Sequence, residues 1–236
     1  MLLLPAISFV GDMVLPSPLT PATTPVPPLL GDALWARANG GRATELQAIN
    51  PFTIGRTVSC VVLAERLEPS PERDAKRDEC MTQLPAIEAV SYLTNTHLQS
   101  VGVWQDPRVP FAGIATMRRV SDRWSKDDLL NTLAARGQFG AAFVGADAAA
   151  LGYFGRPAAD LTPAQAALLA ATLGDRPADP WCNSAQASSL RHRVLLRMRN
   201  NGALDDAAFE AADRAELGLA KPPADHKPCD QPRAGS

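Results

Sequence analysis

Four cations fall close together in this chain: Arg118, Arg119, Arg123 and Lys126. Guanidinium groups grip phosphate oxygens two at a time, and a lysine adds a point charge. Lining a cleft, such a cluster suits a diphosphate. On a solvated helix face it is only surface charge, and the residues alone leave both readings open. The cysteines are a second chemically able set: Cys60, Cys80, Cys182 and Cys229. None lies in a C-x-x-C. Their even count and wide spacing permit two disulfides in an oxidising compartment, in any of three pairings, or four buried thiols in a reducing one. A zinc site from Cys182, His192, His226 and Cys229 is a further use, although the spacing resembles no common ligand pattern. The chain carries no glycine-rich phosphate loop, H-E-x-x-H, G-x-S-x-G, S-x-x-K or K-T-G. These absences give no support to P-loop, zinc-protease, serine-hydrolase or penicillin-binding transpeptidase chemistry.

Helices must position these residues. Thr162, Pro163 and Gln165 spell a capped helix start, and Gly174 a stop. The alanine- and leucine-rich centre between them is apolar nearly all round and is expected to be buried. Ser125 with Asp128 three residues on predicts another capped start. Met117, Val120 and Trp124 recur at helical spacing in 111–123. A basic amphipathic helix is expected over 188–200, stopped by Asn201-Gly202, and a last one from the Asp205 cap to about Leu217. Upstream, 30–40 is a short helix, 52–67 a buried helix, 68–79 a charged loop and 81–99 a further helix. Residues 1–15 are apolar but too short to span a membrane, and they lack a basic start. They read as the remnant of a signal or anchor, as an apolar strand, or as an interfacial segment. Residues 16–28 hold Pro16, Pro18, Pro21, Pro25, Pro27 and Pro28, which favours an extended linker or strap. The domain is then 29–220, and 221–236 is a proline-rich tail.

Composition agrees with a globular helical chain. Hydrophobic residues are 46% and charged residues 20% of 236. The net charge of −2 gives no electrostatic footprint for nucleic acid, so an anionic ligand needs a local basic patch.

Residues 124–172 resemble glycosyltransferase family 51, the peptidoglycan glycosyltransferases of class A penicillin-binding proteins and their monofunctional relatives. The matching residues are Ser125-Lys126-Asp127, Leu130, Phe139-Gly140, Gly145, Ala148-Ala149-Ala150, Tyr153-Phe154-Gly155, Pro157, Leu161-Thr162 and Ala166 to Ala170. Trp124, Asp147 and Arg156 stand for the family's Tyr, Glu and Lys. A weaker likeness runs through Asp179-Pro180, then Arg191 to Met198 and Asn200-Asn201-Gly202, to about Leu219. The resemblance implies a mainly α, lysozyme-like, two-lobed fold. It also implies action on lipid II or peptidoglycan glycan strands outside the inner membrane, in the periplasm or another extracytoplasmic space and in association with the membrane. One carboxylate serves as base on the acceptor hydroxyl. A second carboxylate and basic residues handle the departing pyrophosphate, often with a divalent cation such as Mg or Mn.

Carried onto this chain, the base falls on Glu65, and the family's Thr- and Gln-rich motif on Thr94, Thr96 and Gln99. Lys126 and Arg136 match the family's lysine and arginine, and Arg118, Arg119 and Arg123 remain beside Lys126 as a basic cluster that could hold the diphosphate. Several family positions are lost. Arg66, Glu68 and Pro71 replace residues that surround the base. The second carboxylate falls on Gly113, the basic pair before it on Val109 and Pro110, and a conserved-motif Asn on Ala135. Two functions follow as expectations: a divergent glycosyltransferase, active or with reduced or lost catalysis, or a non-catalytic scaffold that binds glycan strands, lipid II or envelope proteins. A third is a lytic transglycosylase or muramidase, which needs Glu65 or Glu88 in an apolar pocket.

Overall fold

The computed structural model describes residues 17–229, apart from 69, 82–83, 141–142, 175–178, 225 and 227–228. The apolar segment 1–15 and the end of the tail therefore lie outside the described residues, as does most of the turn before Asp179. The chain is mainly helical. Among the described residues it forms α1 (Pro28–Arg37), α2 (Pro51–Glu65), α3 (Pro71–Met81), α4 (Ile87–Ser100), α5 (Val109–Arg123) and α6 (Lys126–Arg136). A two-stranded hairpin, β1 (Gln138–Phe139) and β2 (Phe143–Val144), precedes α7 (Ala146–Phe154), α8 (Pro163–Ala171), α9 (Ser184–Asn201) and α10 (Asp206–Arg214). Contacts divide the chain into two compact units, 1–25 with 38–133, and 26–37 with 134–236.

In the first unit, α2 packs on α3 and α4 packs on α5. Asn50 starts α2: its side chain accepts from the Phe52 and Thr53 N–H groups, and the Thr53 hydroxyl accepts from the Asn50 N–H. That reciprocal cap satisfies donors a helix start leaves open. The stretch expected to be a charged loop is instead the helix α3. Ser70 accepts the Arg73 N–H at 3.2 Å with Pro71 opening the helix, and the Cys60–Cys80 disulfide ties α3 to α2. The weight given to the prolines hid a start signal that uses one of them. A second correction concerns α2, expected to be buried: Phe52, Val58, Val62, Leu63 and Leu67 are exposed. Its helical period was legible, but among the described residues its one sizeable helical neighbour is the charge-rich α3, which offers little apolar surface to cover it. Helix α4 begins at Ile87, later than expected, after Pro85 and a left-handed Ala86 at φ 62°. The proline-rich stretch lies along this unit, with Leu19 buried, the Ala22 N–H donating to Thr132 Oγ1 at 2.9 Å and the Ser17 carbonyl 3.0 Å from His97 Nε2.

In the second unit α8 is the hub, contacted by α1, α7, α9 and α10. Its Thr162–Gln165 capping box is present and its residues are buried throughout. Leu168 and Leu169 are essentially inaccessible, each worth about 1.5–3 kcal/mol of burial. Two arginines, Arg191 buried and Arg197 half-buried, fasten this unit through backbone carbonyls. Arg191 donates to Ala215 O at 2.7 Å and Asp213 O at 2.8 Å at the end of α10. Arg197 reaches Ala36 and Arg37 O at the end of α1. Both satisfy carbonyls that helix C-termini leave open. The helix α10 stops at Arg214, short of the expected Leu217, because the carbonyls beyond it go to Arg191.

Candidate active site

Glu65 is the last residue of α2. Its carboxylate lies 3.7 Å from Arg77 Nε of α3, and the two side chains are 47% and 59% exposed. An ion pair so open to water is worth about 0–1 kcal/mol. The site expected to hold a base is therefore a stapled helical hairpin with a solvated acid at its end. Glu88, the other carboxylate considered, is exposed in the first turn of α4.

The cations lie on another helix pair. Arg118, Arg119 and Arg123 belong to α5, and Lys126 opens α6. Arg118 Nε donates to Asp122 Oδ2 at 3.3 Å, one turn on. Arg123 is exposed, while Arg119 and Lys126 are half-buried. Asp122, Asp127 and Asp128 share this stretch, so four cations exceed the local carboxylates by a single charge. Asp128 is committed to the α6 cap, accepting from the Ser125 N–H and hydroxyl, both at 2.9 Å. Arg136 ends α6 and is exposed. Of the Thr- and Gln-rich stretch, Thr94 is buried inside α4, the Thr96 hydroxyl donates to Tyr92 O at 2.9 Å, and Gln99 is exposed. The structure thus gathers the arginines with Lys126 along one stretch of chain and sets Glu65 against Arg77.

The residues that carried the likeness are mostly architectural. Phe139 and Tyr153 are fully buried, and Tyr153 meets Phe143 edge to face at 5.1 Å between ring centroids. Gly140 has φ 65°, and any Cβ there would run into the Tyr153 hydroxyl. Asp147, in the family's Glu position, accepts the Ala158 N–H at 3.2 Å and ties α7 to the turn after it. Residues 111–199 match the transglycosylase family model. No curated protein matches the chain. The transglycosylase match runs from α5 through α9, so it takes in Arg118, Arg119, Arg123, Lys126 and Arg136 and leaves out Glu65 and Gln99. Over that stretch it supports a glycosyltransferase-like role in the cell wall.

At and just before the start of the transglycosylase match, two of the lost positions have structural roles. A side chain at Gly113 would point toward Leu98 of α4, its Cβ 3.7 Å from Leu98 Cδ1. Val109 packs against Leu98 and Ala112 in a small apolar cluster. Positions that would hold acid and base instead serve the α4–α5 contact. A divalent cation handling pyrophosphate would need an oxygen ligand where Gly113 stands. These residues do not fit that role, and no step through a cation follows.

Sequence reasoning missed the aromatic group in the second unit: Phe143, Tyr153 and Trp181, with His226 against Trp181 at 4.9 Å. Nothing in local periodicity brings a residue of the tail to that cluster. Only the pairing of Cys182 with Cys229 could have signalled it.

Proposed function

We propose that this protein is a peptidoglycan-glycosyltransferase-like domain that binds lipid II or glycan strands in the cell envelope and does not itself transfer sugar. The observation that carries the reading is Glu65, a solvated carboxylate paired with Arg77, with Gly113 in place of a second acid. A general base must reach the attacking hydroxyl, and the leaving pyrophosphate needs charge to meet it. The exposed apolar residues of α2 (Phe52, Val58, Val62 and Leu63) suit an apolar tail such as that of a lipid-linked glycan. The arginines and Lys126 of α5 and α6 suit its phosphates. Extracytoplasmic placement is part of the proposal: both cysteine pairs, Cys60–Cys80 and Cys182–Cys229, are bonded, as oxidising compartments favour. Among the described residues, no helix is long and apolar enough to cross a membrane.

The test is equilibrium binding of lipid II in detergent micelles. Wild type is expected to saturate. Leu63→Asp changes an exposed residue and leaves the core alone. It is expected to weaken binding about tenfold, the equivalent of about 1.4 kcal/mol of lost apolar contact. Absence of saturable binding by wild type, or identical affinity in the variant and in Lys126→Ala, would contradict the reading.

A further inference from the structure

Cys182, His226 and Cys229 lie together in the second unit, and their ligand atoms are all within 4.8 Å of one another. Asp179 joins them. His226 Nε2 is 3.7 Å from Cys182 Sγ and 3.5 Å from Asp179 Oδ2, so one ring nitrogen faces a sulfur and a carboxylate oxygen together. Asp179 and His226 are shielded from solvent, with side chains only 7% and 16% exposed, while Cys229 is open to it. These separations match the edges of a tetrahedron around zinc. Bonds of about 2.3 Å to sulfur and about 2.0–2.2 Å to nitrogen and oxygen place S and N about 3.5 Å apart and N and O about 3.4 Å apart. The two sulfurs are closer than a pair of zinc ligands would be, because they are bonded to each other. The surroundings also resemble a metal's outer shell. The Trp181 backbone N–H donates to Asp179 Oδ1 at 3.0 Å, and the Trp181 ring meets the His226 ring edge to face at 4.9 Å between centroids, fixing both groups.

We propose that the Cys182–Cys229 disulfide is one of two states of this site, and that the reduced chain binds zinc through Cys182, Cys229, His226 and Asp179. A dithiol supplies two electrons and is itself oxidised to a disulfide. The Cys182–Cys229 bond breaks and each sulfur takes a proton. Zinc binding then releases both thiol protons to solvent and leaves two thiolate ligands. The site differs from the zinc set read from the sequence. His192 is engaged with Asp213 at 2.8 Å, and Asp179 takes its place.

The experiment reduces the full-length chain with a phosphine and titrates it with Co2+ and then Zn2+ under nitrogen. The readouts are the visible spectrum, Trp181 fluorescence and far-ultraviolet circular dichroism. One Co2+ per chain with a tetrahedral, thiolate-containing spectrum is expected from the reduced protein and none from the oxidised one. Cys182→Ser should lower both the thiolate band and the metal affinity. His226→Ala and Asp179→Asn should each weaken the metal by about tenfold or more, and Cys60→Ser/Cys80→Ser should leave it unchanged. No thiolate spectrum would overturn the proposal. So would equal affinity in Cys182→Ser, an effect that follows Cys60 and Cys80, or loss of helix on reduction that zinc does not restore.

Discussion

Asp106 and Arg108 show how much chemistry two neighbouring residues can fix by themselves. Arg108 donates from its backbone and side chain to Asp106, with contacts of 2.8–3.0 Å. Those bonds hold the carboxyl at about 2, below its ordinary 3.8, and push the guanidinium up. The folded value is the lower one, so the pair contributes above the unfolded carboxyl range, and its contribution is lost as pH falls toward 2. An NMR titration of Asp106 should show a midpoint near 2 that rises toward the ordinary value in Arg108→Ala. An unmoved midpoint would mean the pair does not exist in solution. Arg191 presents the opposite balance: burial lowers its pKa, and Asp213 partly opposes that. It stays useful because carbonyls receive two of its nitrogens. Neither role is written in the residue type. Arg191 was legible as a helix residue, but the carbonyls it holds lie 22 and 24 positions on.

At the scale of elements, the legible features were those whose signals are local. The caps at Ser125 and Thr162 were read from a few consecutive residues and are present as reciprocal hydrogen bonds. Thr162→Ala should therefore lower unfolding stability by about 0.5–2 kcal/mol in urea denaturation. A change near zero would mean that burial alone holds α8. The exposure of α2 was not legible, because a helical stripe of Val58, Val61, Val62 and Glu65 shows a period without showing what covers it. The hairpin before α7 was also missed. Its strands are two residues each, below the length at which alternation shows. Helix α3 was lost to a rule that counts prolines as breakers, although Pro71 stands where a helix tolerates one.

For the whole molecule, the transglycosylase match and the candidate base occupy different parts of the sequence. The match covers 111–199, where Phe139, Gly140, Tyr153 and the α8 cap build architecture. Glu65 lies outside it, on a hairpin held by Cys60–Cys80. Mainly helical architecture was readable from caps and alanine-rich runs. The state of the site was not, because it depends on what stands beside Glu65 and where Gly113 points. Glycan polymerisation from labelled lipid II, wild type against Glu65→Gln, reads that state directly. No polymer is expected from either protein while both still bind lipid II. Polymer from wild type that disappears in Glu65→Gln would contradict it and make Glu65 a working base.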